Sequence, residues 1–163
     1  MNAYDARMSE PNLFRVENCS IERTLAILGE KWTFLVLREA FNGVRRFADL
    51  QAGTRAPRQV LSARLARLVE ADLLRKVPYR EPGRRRRDEY RLTQKGLDLY
   101  PIMVSLMHWG DRYMADPSGP PVVLTHRDCG SPIDVRLRCA EGHEVPSPRQ
   151  VTPRLGPGAR RAG

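Results

Sequence analysis

The sequence predicts a mainly α-helical domain with one small β-hairpin, an α+β fold, and three features of the chain favour it. Apolar residues recur at helical spacing between residues 21 and 71. Two short stretches of β-type residues then flank the turn Pro82-Gly83. A further helical pattern begins near residue 94. The chain of 163 residues, 41% of them apolar, is long enough to bury one core and leaves room for tails.

Two helices are predicted at the start of the domain, after a polar and unpatterned arm of residues 1–18. The first helix has apolar residues at helical spacing, namely Ile21, Leu25 and Leu28. Gly29 ends it, and a second apolar helix follows from Trp32 to Phe41. Asn42-Gly43 then supplies a turn.

The next segment predicts a helix-turn-helix. A short helix over residues 46–52 is followed by the linker 53–56 and by an amphipathic helix over residues 57–71. Pro57 suits the first helical position because a proline's missing N–H would have no partner there. The apolar stripe of this helix consists of Leu61, Leu65 and Leu68. In such a motif, the N-terminal residues of the second helix enter the major groove of DNA.

The outward-facing residues Arg58, Gln59 and Ser62 are the best candidates for reading bases. Arginine can bond guanine at O6 and N7, and glutamine can bond adenine at N6 and N7. Any solvated helix face has a similar composition, so the helix alone does not separate the two interpretations.

The hairpin that follows favours the DNA-binding interpretation. Its β-type residues are Leu73, Val77 and Tyr79 on one strand, and Tyr90 and Leu92 on the other. Between the strands stand four consecutive arginines, Arg84 to Arg87, which repel one another unless phosphates or counterions screen them. Such a wing contacts phosphates or the minor groove, which raises affinity without reading a sequence. A solvated charge run is the alternative.

Positive charge is concentrated in this part of the chain. Residues 55–91 contain 12 Lys or Arg and 5 Asp or Glu, a net +7 of the +9 that the whole chain carries, whereas residues 1–54 balance at zero. A surface for a polyanion concentrates charge in this way. The predicted DNA contacts are Arg55, Arg58, Gln59, Ser62, Arg64, Arg67, Arg84, Arg85, Arg86 and Arg87.

A long C-terminal helix predicts a homodimer. Thr93 is a good N-cap for a helix from Gln94 to about Ala115. The apolar residues of this helix exceed what a compact domain needs for its own core, and they are Leu97, Tyr100, Val104, Met107 and Trp109. Their burial between two copies would set two recognition helices about one DNA turn, roughly 34 Å, apart. Packing against the first helix is the alternative, and both arrangements can hold.

Five segments share their order and spacing with one known family: Cys19–Leu25, Gly29–Trp32, Arg46–Leu50, Tyr90–Gly96 and His108–Gly110. Over residues 19–115 the chain resembles the HxlR-type winged helix-turn-helix transcriptional regulators. The resemblance implies a dimeric bacterial DNA-binding regulator, a repressor or an activator, whose terminal helices build the dimer.

The chain departs from the family pattern at three positions. Glu30 stands where a second glycine usually precedes Lys-Trp, and Asp72 stands where a glycine usually precedes the wing strand. Pro57 stands where a serine often begins the recognition helix. The last departure bears on where that helix begins.

Cys19 matches the N-terminal cysteine of the family, which in some members senses oxidants or electrophiles. It lies at or just before a helix N-terminus, where the helix dipole and unpaired amides stabilise a thiolate, and Arg23 is one turn away. A redox role would need an intersubunit or mixed disulfide, because no second cysteine is near in sequence. A small residue packed at the dimer interface is the alternative.

The composition changes after the domain of residues 19–116. Residues 117–145 begin as a Pro- and Gly-rich linker, and residues 146–163 are predicted to be a disordered basic tail that could tether the protein to DNA without reading sequence. The first of these regions also contains two pairs of metal-binding residue types, His126 with Cys129 and Cys139 with His143.

The two pairs have ligand types and spacings that suit one structural Zn²⁺ in a ribbon-like tail. Ile133, Val135 and Leu137 alternate like a small strand between the pairs. A tail without metal and a disulfide between Cys129 and Cys139 are the alternatives. We expect no other cofactor.

The chain as a whole therefore predicts a sequence-specific DNA-binding regulator, with a small molecule or an electrophile as a candidate effector. A non-specific architectural protein of DNA or RNA is one alternative. A zinc hydrolase is another, although four protein ligands would leave no open position for water. We expect a cytoplasmic protein, because the chain has neither a signal peptide nor the ~18–20 uncharged apolar residues of a membrane span.

Overall fold

The chain divides into two compact units in a computed structural model that describes residues 16–83 and 85–160. The central unit is Thr24–Pro121, and the terminal unit combines Met1–Arg23 with Val122–Gly163. Most of the predicted flexible arm, residues 1–15, lies outside the described residues, as do Arg84 and residues 161–163.

Six α-helices and one hairpin are present among the described residues. Four helices precede the hairpin, namely α1 (Ser20–Leu28), α2 (Lys31–Phe41), α3 (Phe47–Thr54) and α4 (Arg58–Glu70). The hairpin consists of β1 (Leu74–Tyr79) and β2 (Arg87–Leu92), and α5 (Gln94–Leu97) and α6 (Tyr100–Met114) follow it. The predicted order of helices and strands is confirmed, and so is the mainly helical winged fold.

The core of the central unit lies under α2, which packs against both α3 and α4. The predicted apolar stripe of α4, made of Leu61, Leu65 and Leu68, is fully buried there. Val36 and Leu37 of α2 meet it in the same core cluster. Burial of a leucine side chain stabilises a fold by about 1.5–3 kcal/mol, so these contacts hold the helix-turn-helix together.

The hairpin is antiparallel, with Leu74 opposite Leu92 at its base and Tyr79 opposite Arg87 near its tip. A third segment lies along the other edge of β2, because the Tyr90 N–H donates to the Arg45 carbonyl at 2.8 Å. The wing is therefore joined by hydrogen bonds to the segment that leads into α3.

The predicted long C-terminal helix is broken in two, and this part of the prediction was wrong. Thr93 caps α5 as expected, since its hydroxyl accepts from the Gly96 N–H at 3.1 Å. The chain leaves α5 after Leu97, and Pro101 stands in the first turn of α6. A proline has no N–H to continue a helical ladder, so it favours the start of a new helix over the extension of the old one.

Gly96 is required where α5 approaches the start of β1. A Cβ at this position would collide with the backbone carbonyl oxygen of Leu73. Glycine is the residue that permits two backbones to come this close.

The terminal unit joins the two ends of the described chain. The Glu17 N–H donates to the Arg160 carbonyl at 2.9 Å, and the Asn18 side chain bonds both Gly158 and Arg160. A 3-10 turn at Pro148–Gln150 is capped by the hydroxyl of Ser147. The composition predicted a disordered tail. In the structure, however, the backbone groups of Gly158 and Arg160 are hydrogen-bonded to the side chain of Asn18, which lies 140 and 142 positions earlier.

The predicted strand with Ile133, Val135 and Leu137 does not form in the part of the tail that the structure describes. Two isolated bridges, Thr125 with Pro132 and Arg138 with Glu144, flank the segment instead. Arg136 bonds Asp134 at 2.7 Å and Glu144 at 2.9 Å. Single backbone hydrogen bonds, from the Ile133 N–H to the Leu124 carbonyl and from the Val145 N–H to the Leu137 carbonyl, and the ion pairs of Arg136 therefore hold the segment without a continuous strand ladder.

Candidate nucleic-acid interface

A constrained turn presents the N-terminus of α4. The buried hydroxyl of Thr54 donates to the Leu50 carbonyl at 2.7 Å and accepts from the Ala56 N–H at 3.3 Å. Arg55 has a left-handed φ of 57°, and Pro57 is extended with a ψ of 140°. The helix α3 thus includes Gly53 and Thr54, which the sequence had placed in the linker, and Pro57 is the N-cap of α4 rather than its first helical residue.

The first turns of α4 expose the three predicted base-reading residues, Arg58, Gln59 and Ser62. The guanidinium carbon of Arg58 lies 5.2 Å from the centre of the Phe47 ring on α3. A cation over an aromatic face is attracted by about 0.5–1 kcal/mol at an exposed site. Phe47 therefore restricts the position of Arg58 while leaving the guanidinium open to a ligand.

The other predicted contacts of this helix are placed differently. Arg55 is exposed in the turn, but Arg64 is half-buried, and its Nε is buried without a hydrogen-bond partner among the described residues. Arg64 lies near the core face because it follows Leu61 by about one turn. Arg67 bonds Glu70 at 3.0 Å in the last turn. The open basic surface of α4 is therefore concentrated at its N-terminus.

The wing tip exposes the arginines that the sequence predicted there, as far as the structure describes them. Arg85 and Arg86 are exposed in the loop that joins β1 to β2. Arg87 is exposed as well, but it belongs to β2 and lies opposite Tyr79 rather than in the loop. Gly83 has a φ of 72°, which agrees with the predicted turn.

Arg46 connects the wing to α3, a role that the sequence alone did not reveal. Its guanidinium carbon lies 4.6 Å from the centre of the Tyr79 ring, and its Nη1 bonds Glu81 at 2.6 Å. A backbone bridge also links Arg46 with Glu89 of β2. These contacts join residues far apart in the sequence, and the only sequence signal was that Arg46 opens one of the five family motifs.

Cys19 lies directly before α1 and is half-buried, with a free thiol. Its carbonyl accepts from the Arg23 N–H at 3.0 Å, so it stands at the helix N-terminus as predicted. Redox sensing by Cys19 stays a prediction.

The two predicted metal-binding pairs each form a local turn. In the first, Cys129 Sγ lies 3.4 Å from His126 Nδ1, and hydrogen bonding to Ser131 lowers the pKa of the Cys129 thiol. In the second, the Cys139 N–H donates to the His143 carbonyl at 3.0 Å. Within the described residues, no group of three or more His, Cys, Asp or Glu side chains is gathered so that it could hold a metal ion. The structure thus forms the pairs separately, and a shared zinc stays a prediction from the sequence.

A helix-turn-helix with an open polar first turn, together with a basic hairpin, defines a winged-helix DNA-binding protein. The model of the HxlR-like helix-turn-helix family matches residues 27–118. The chain belongs to this family, and it is a DNA-binding transcriptional regulator. None of the described helices is long and apolar enough to cross a membrane.

Relatives over nearly the whole chain support this assignment. An uncharacterised helix-turn-helix-type transcriptional regulator of Mycobacterium tuberculosis strain H37Rv is 49% identical over 144 residues, which cover 88% of this chain and 90% of the relative. A regulator of Mycobacterium bovis matches to the same extent. These relatives are transcriptional regulators, so they lend no support to the hydrolase alternative.

Solved structures show the same fold. PA1607, a candidate transcription factor, superposes with a TM-score of 0.75 at 32% identity, covering 86% of this chain and 96% of its own. PA1374, a candidate transcription factor from Pseudomonas aeruginosa, has a TM-score of 0.60 at 34% identity, covering 86% and 94%. The reduced form of the redox regulator HypR, at 24% identity and a TM-score of 0.52, covers 58% of this chain and 92% of its own and shares the fold.

Proposed function

We propose that the protein binds a palindromic operator as a homodimer, with α4 of each copy in the major groove and each wing on the flanking backbone or minor groove. The observation that supports base reading most directly is the exposed polar face of the first two turns of α4. Its residues Arg58, Gln59 and Ser62 are exposed, while Leu61 on the same turns is fully buried. Burial of Leu61 therefore fixes the helix on the core, and the exposed side chains on the opposite face can bond base edges.

The exposed apolar face of α6 supports the homodimer. Ile102, Leu106, Trp109 and Tyr113 are each between 47% and 63% exposed. Their spacing of four, three and four residues is that of the a and d positions in helices that pack side by side. An exposed apolar stripe on a helix marks an interaction surface. We name these four residues the α6 stripe.

The buried apolar residue Val104 and the exposed α6 stripe lie on different faces of the helix. Val104, which the sequence pattern had assigned to the excess apolar surface, is only 3% exposed and packs inside the protein. The α6 stripe lies on another face of the helix, where its four side chains are exposed. A second copy of the same helix offers a matching stripe, which is how a two-fold symmetric interface is built.

Selection of bound sequences from a random duplex pool tests the proposal as a whole. The wild-type protein is expected to enrich an inverted repeat whose half-sites lie about one turn, or roughly 10 base pairs, apart. Its affinity for that sequence should exceed its affinity for random DNA by ~10³ or more. No enrichment, with equal affinity for all duplexes, would instead indicate a non-specific architectural protein.

A substitution in the α6 stripe tests the proposed dimer. The variant Leu106→Asp is expected to be a monomer in sedimentation and to bind single half-sites only, because it places a carboxylate in the apolar interface. Met114→Asp is the matched control, since Met114 is 73% exposed on α6 but lies off the stripe. A dimer that persists in Leu106→Asp would contradict the interface.

A further inference from the structure

A cavity of about 320 Å³ opens at the base of the wing. It lies among the end of α2, the hairpin and α5, all within the central unit. Three arginines from three separate segments line it, namely Arg45, Arg75 and Arg91. Its apolar lining includes Phe41, Leu92 and Leu97. We name this cavity the basal groove.

The arginines of the basal groove form an unbalanced cluster of positive charge. Arg75 and Arg91 are directly opposite each other in the register of the hairpin. Like charges at such cross-strand positions destabilise a sheet. Arg91 Nε is bonded to Glu89 at 2.6 Å, whereas no ion pair involves Arg45 or Arg75 within the described residues. The groove thus holds more positive charge than its own carboxylates neutralise.

The basal groove is separate from the wing tip. The pair Arg75 and Arg91 is one step from the base of the hairpin, and the pair Tyr79 and Arg87 is four steps further towards the tip. At ~3.3 Å per residue, four steps correspond to roughly 13 Å. The groove therefore has a position of its own, beside α5 and not beside the arginines of the loop.

We propose that the basal groove binds a small organic anion, namely a planar carboxylate with an apolar ring. Guanidinium groups bond carboxylates through two parallel hydrogen bonds, and such bonds are stronger than those between neutral groups. The apolar lining of Phe41, Leu92 and Leu97 fits the ring of such a molecule. The volume is at the small end of the ~300–1,000 Å³ found for ligand pockets, which favours a compact molecule.

Occupancy of the groove would also affect the wing. A carboxylate between Arg75 and Arg91 removes the repulsion at the base of the hairpin and fixes its position relative to α5. Phe41, which lines the groove, also packs on Tyr100 of α6 with ring centres 5.1 Å apart. The ligand would therefore sit between the DNA-contacting wing and the dimer helix, an effector role that rests on the proposed function.

Binding of benzoate to the full chain without DNA, measured by calorimetry, tests the site independently of the proposed function. Wild-type protein is expected to bind benzoate saturably and to bind the neutral analogue benzamide at least tenfold more weakly. Arg75→Gln and Arg91→Gln should each weaken benzoate binding about tenfold or more, since each variant loses a charge-assisted hydrogen bond to the carboxylate. Lys76→Gln is the matched control, because Lys76 is the next residue along β1 and is not among the residues that line the groove. It should change binding less than twofold.

Thermal unfolding shows whether the variants keep their fold. Arg75→Gln should unfold at or above the wild-type temperature, because it removes a like-charge pair. Arg75→Lys, which keeps the charge but loses the two-point geometry, should bind benzoate with intermediate affinity.

Three results would overturn the proposal: no saturable binding of benzoate, equal binding of benzoate and benzamide, or equal losses in Arg75→Gln and Lys76→Gln. Inorganic phosphate that binds as tightly as benzoate would show a general anion site instead. If Arg75→Gln weakened binding to random duplex DNA as much as binding to benzoate, the groove would be a DNA-backbone contact. The proposed function is tested separately, because operator selection by the wild-type chain does not depend on any of these results.

Discussion

The N-terminus of α4 and the tip of the wing are both basic and exposed, yet they hold their arginines in different ways. Arg58 lies over the Phe47 ring and follows a turn fixed by Thr54 and Pro57. Arg85 and Arg86 project from a loop between two strands. The first arrangement orients a guanidinium, and the second only concentrates charge.

This difference assigns different tasks to the two regions under the proposed function. Base recognition needs donors held at fixed angles, because a two-point bond to guanine fails when the guanidinium turns. Phosphate binding depends mainly on the number of charges released from counterions. We therefore expect α4 to determine which sequence is bound and the wing to determine how tightly any sequence is bound.

The largest effect is expected for the double variant Arg58→Ala with Gln59→Ala. Each two-point base contact is worth about 1–3 kcal/mol of discrimination, so affinity for the selected operator should fall roughly 100-fold. Affinity for random duplex should fall only a few-fold, since one charge is removed. Competition binding against both duplexes measures the ratio of the affinity for the operator to the affinity for random duplex. An unchanged ratio would show that α4 does not read the bases.

Neutralisation of the wing tip comes next. The double variant Arg85→Gln with Arg86→Gln should weaken binding to operator and random DNA alike, by about tenfold. The slope of log affinity against log salt should become shallower by about 1.8, at ~0.9 for each phosphate that the protein no longer neutralises. A salt titration with both duplexes measures this slope. A weakening confined to the operator would mean that the wing reads sequence.

A smaller effect is expected for Phe47→Leu, which removes the ring beneath Arg58. Affinity for the operator should fall two- to fivefold, because a cation–π contact at an exposed site is worth about 0.5–1 kcal/mol. The control is the same substitution in an Arg58→Ala background, where it should have no further effect on DNA binding. If the effects of Phe47→Leu and Arg58→Ala on DNA binding were additive in the double variant, Phe47 would act on the fold and not through Arg58.

The smallest effect is expected for Arg67→Gln. Its guanidinium is bonded to Glu70 in the last turn of α4, away from the open N-terminus. Binding to either duplex should change less than twofold. A decrease as large as that of Arg58→Ala would mean that α4 approaches DNA by its C-terminal half.

Local patterns in the sequence were enough to predict the elements that carry these side chains. The stripe of Leu61, Leu65 and Leu68 identified both the helix and its buried face, because helical spacing is a property of neighbouring residues. The N-cap at Thr93 was predictable for the same reason. The break before Tyr100 was missed, since the apolar pattern of residues 94–115 continues across it and only Pro101 signals a new helix.

The rest depends on contacts between distant residues, which a single sequence does not reveal. Arg46 reaches Glu81 across 35 positions of the chain. The basal groove depends on the hairpin register, which places Arg75 opposite Arg91, and on the end of α2 and α5, which lie beside the hairpin.

Asp72 takes a left-handed backbone conformation at a position where the family usually has glycine. The sequence has aspartate where the family usually has glycine, and the structure gives it a left-handed φ of 57°. Aspartate tolerates this conformation better than most residues because its short side chain can bond the local backbone. The turn before β1 thus forms without a glycine.

Selection from a random duplex pool by three proteins in parallel tests the division of tasks most directly. The wild type and the variant Arg85→Gln with Arg86→Gln are expected to select the same sequence, the latter with a lower yield at each salt concentration. The variant Arg58→Ala with Gln59→Ala is expected to select a different sequence or none, with total binding to the random pool only a few-fold lower. The division of tasks would be contradicted if the wing variant changed the selected sequence and the α4 variant did not.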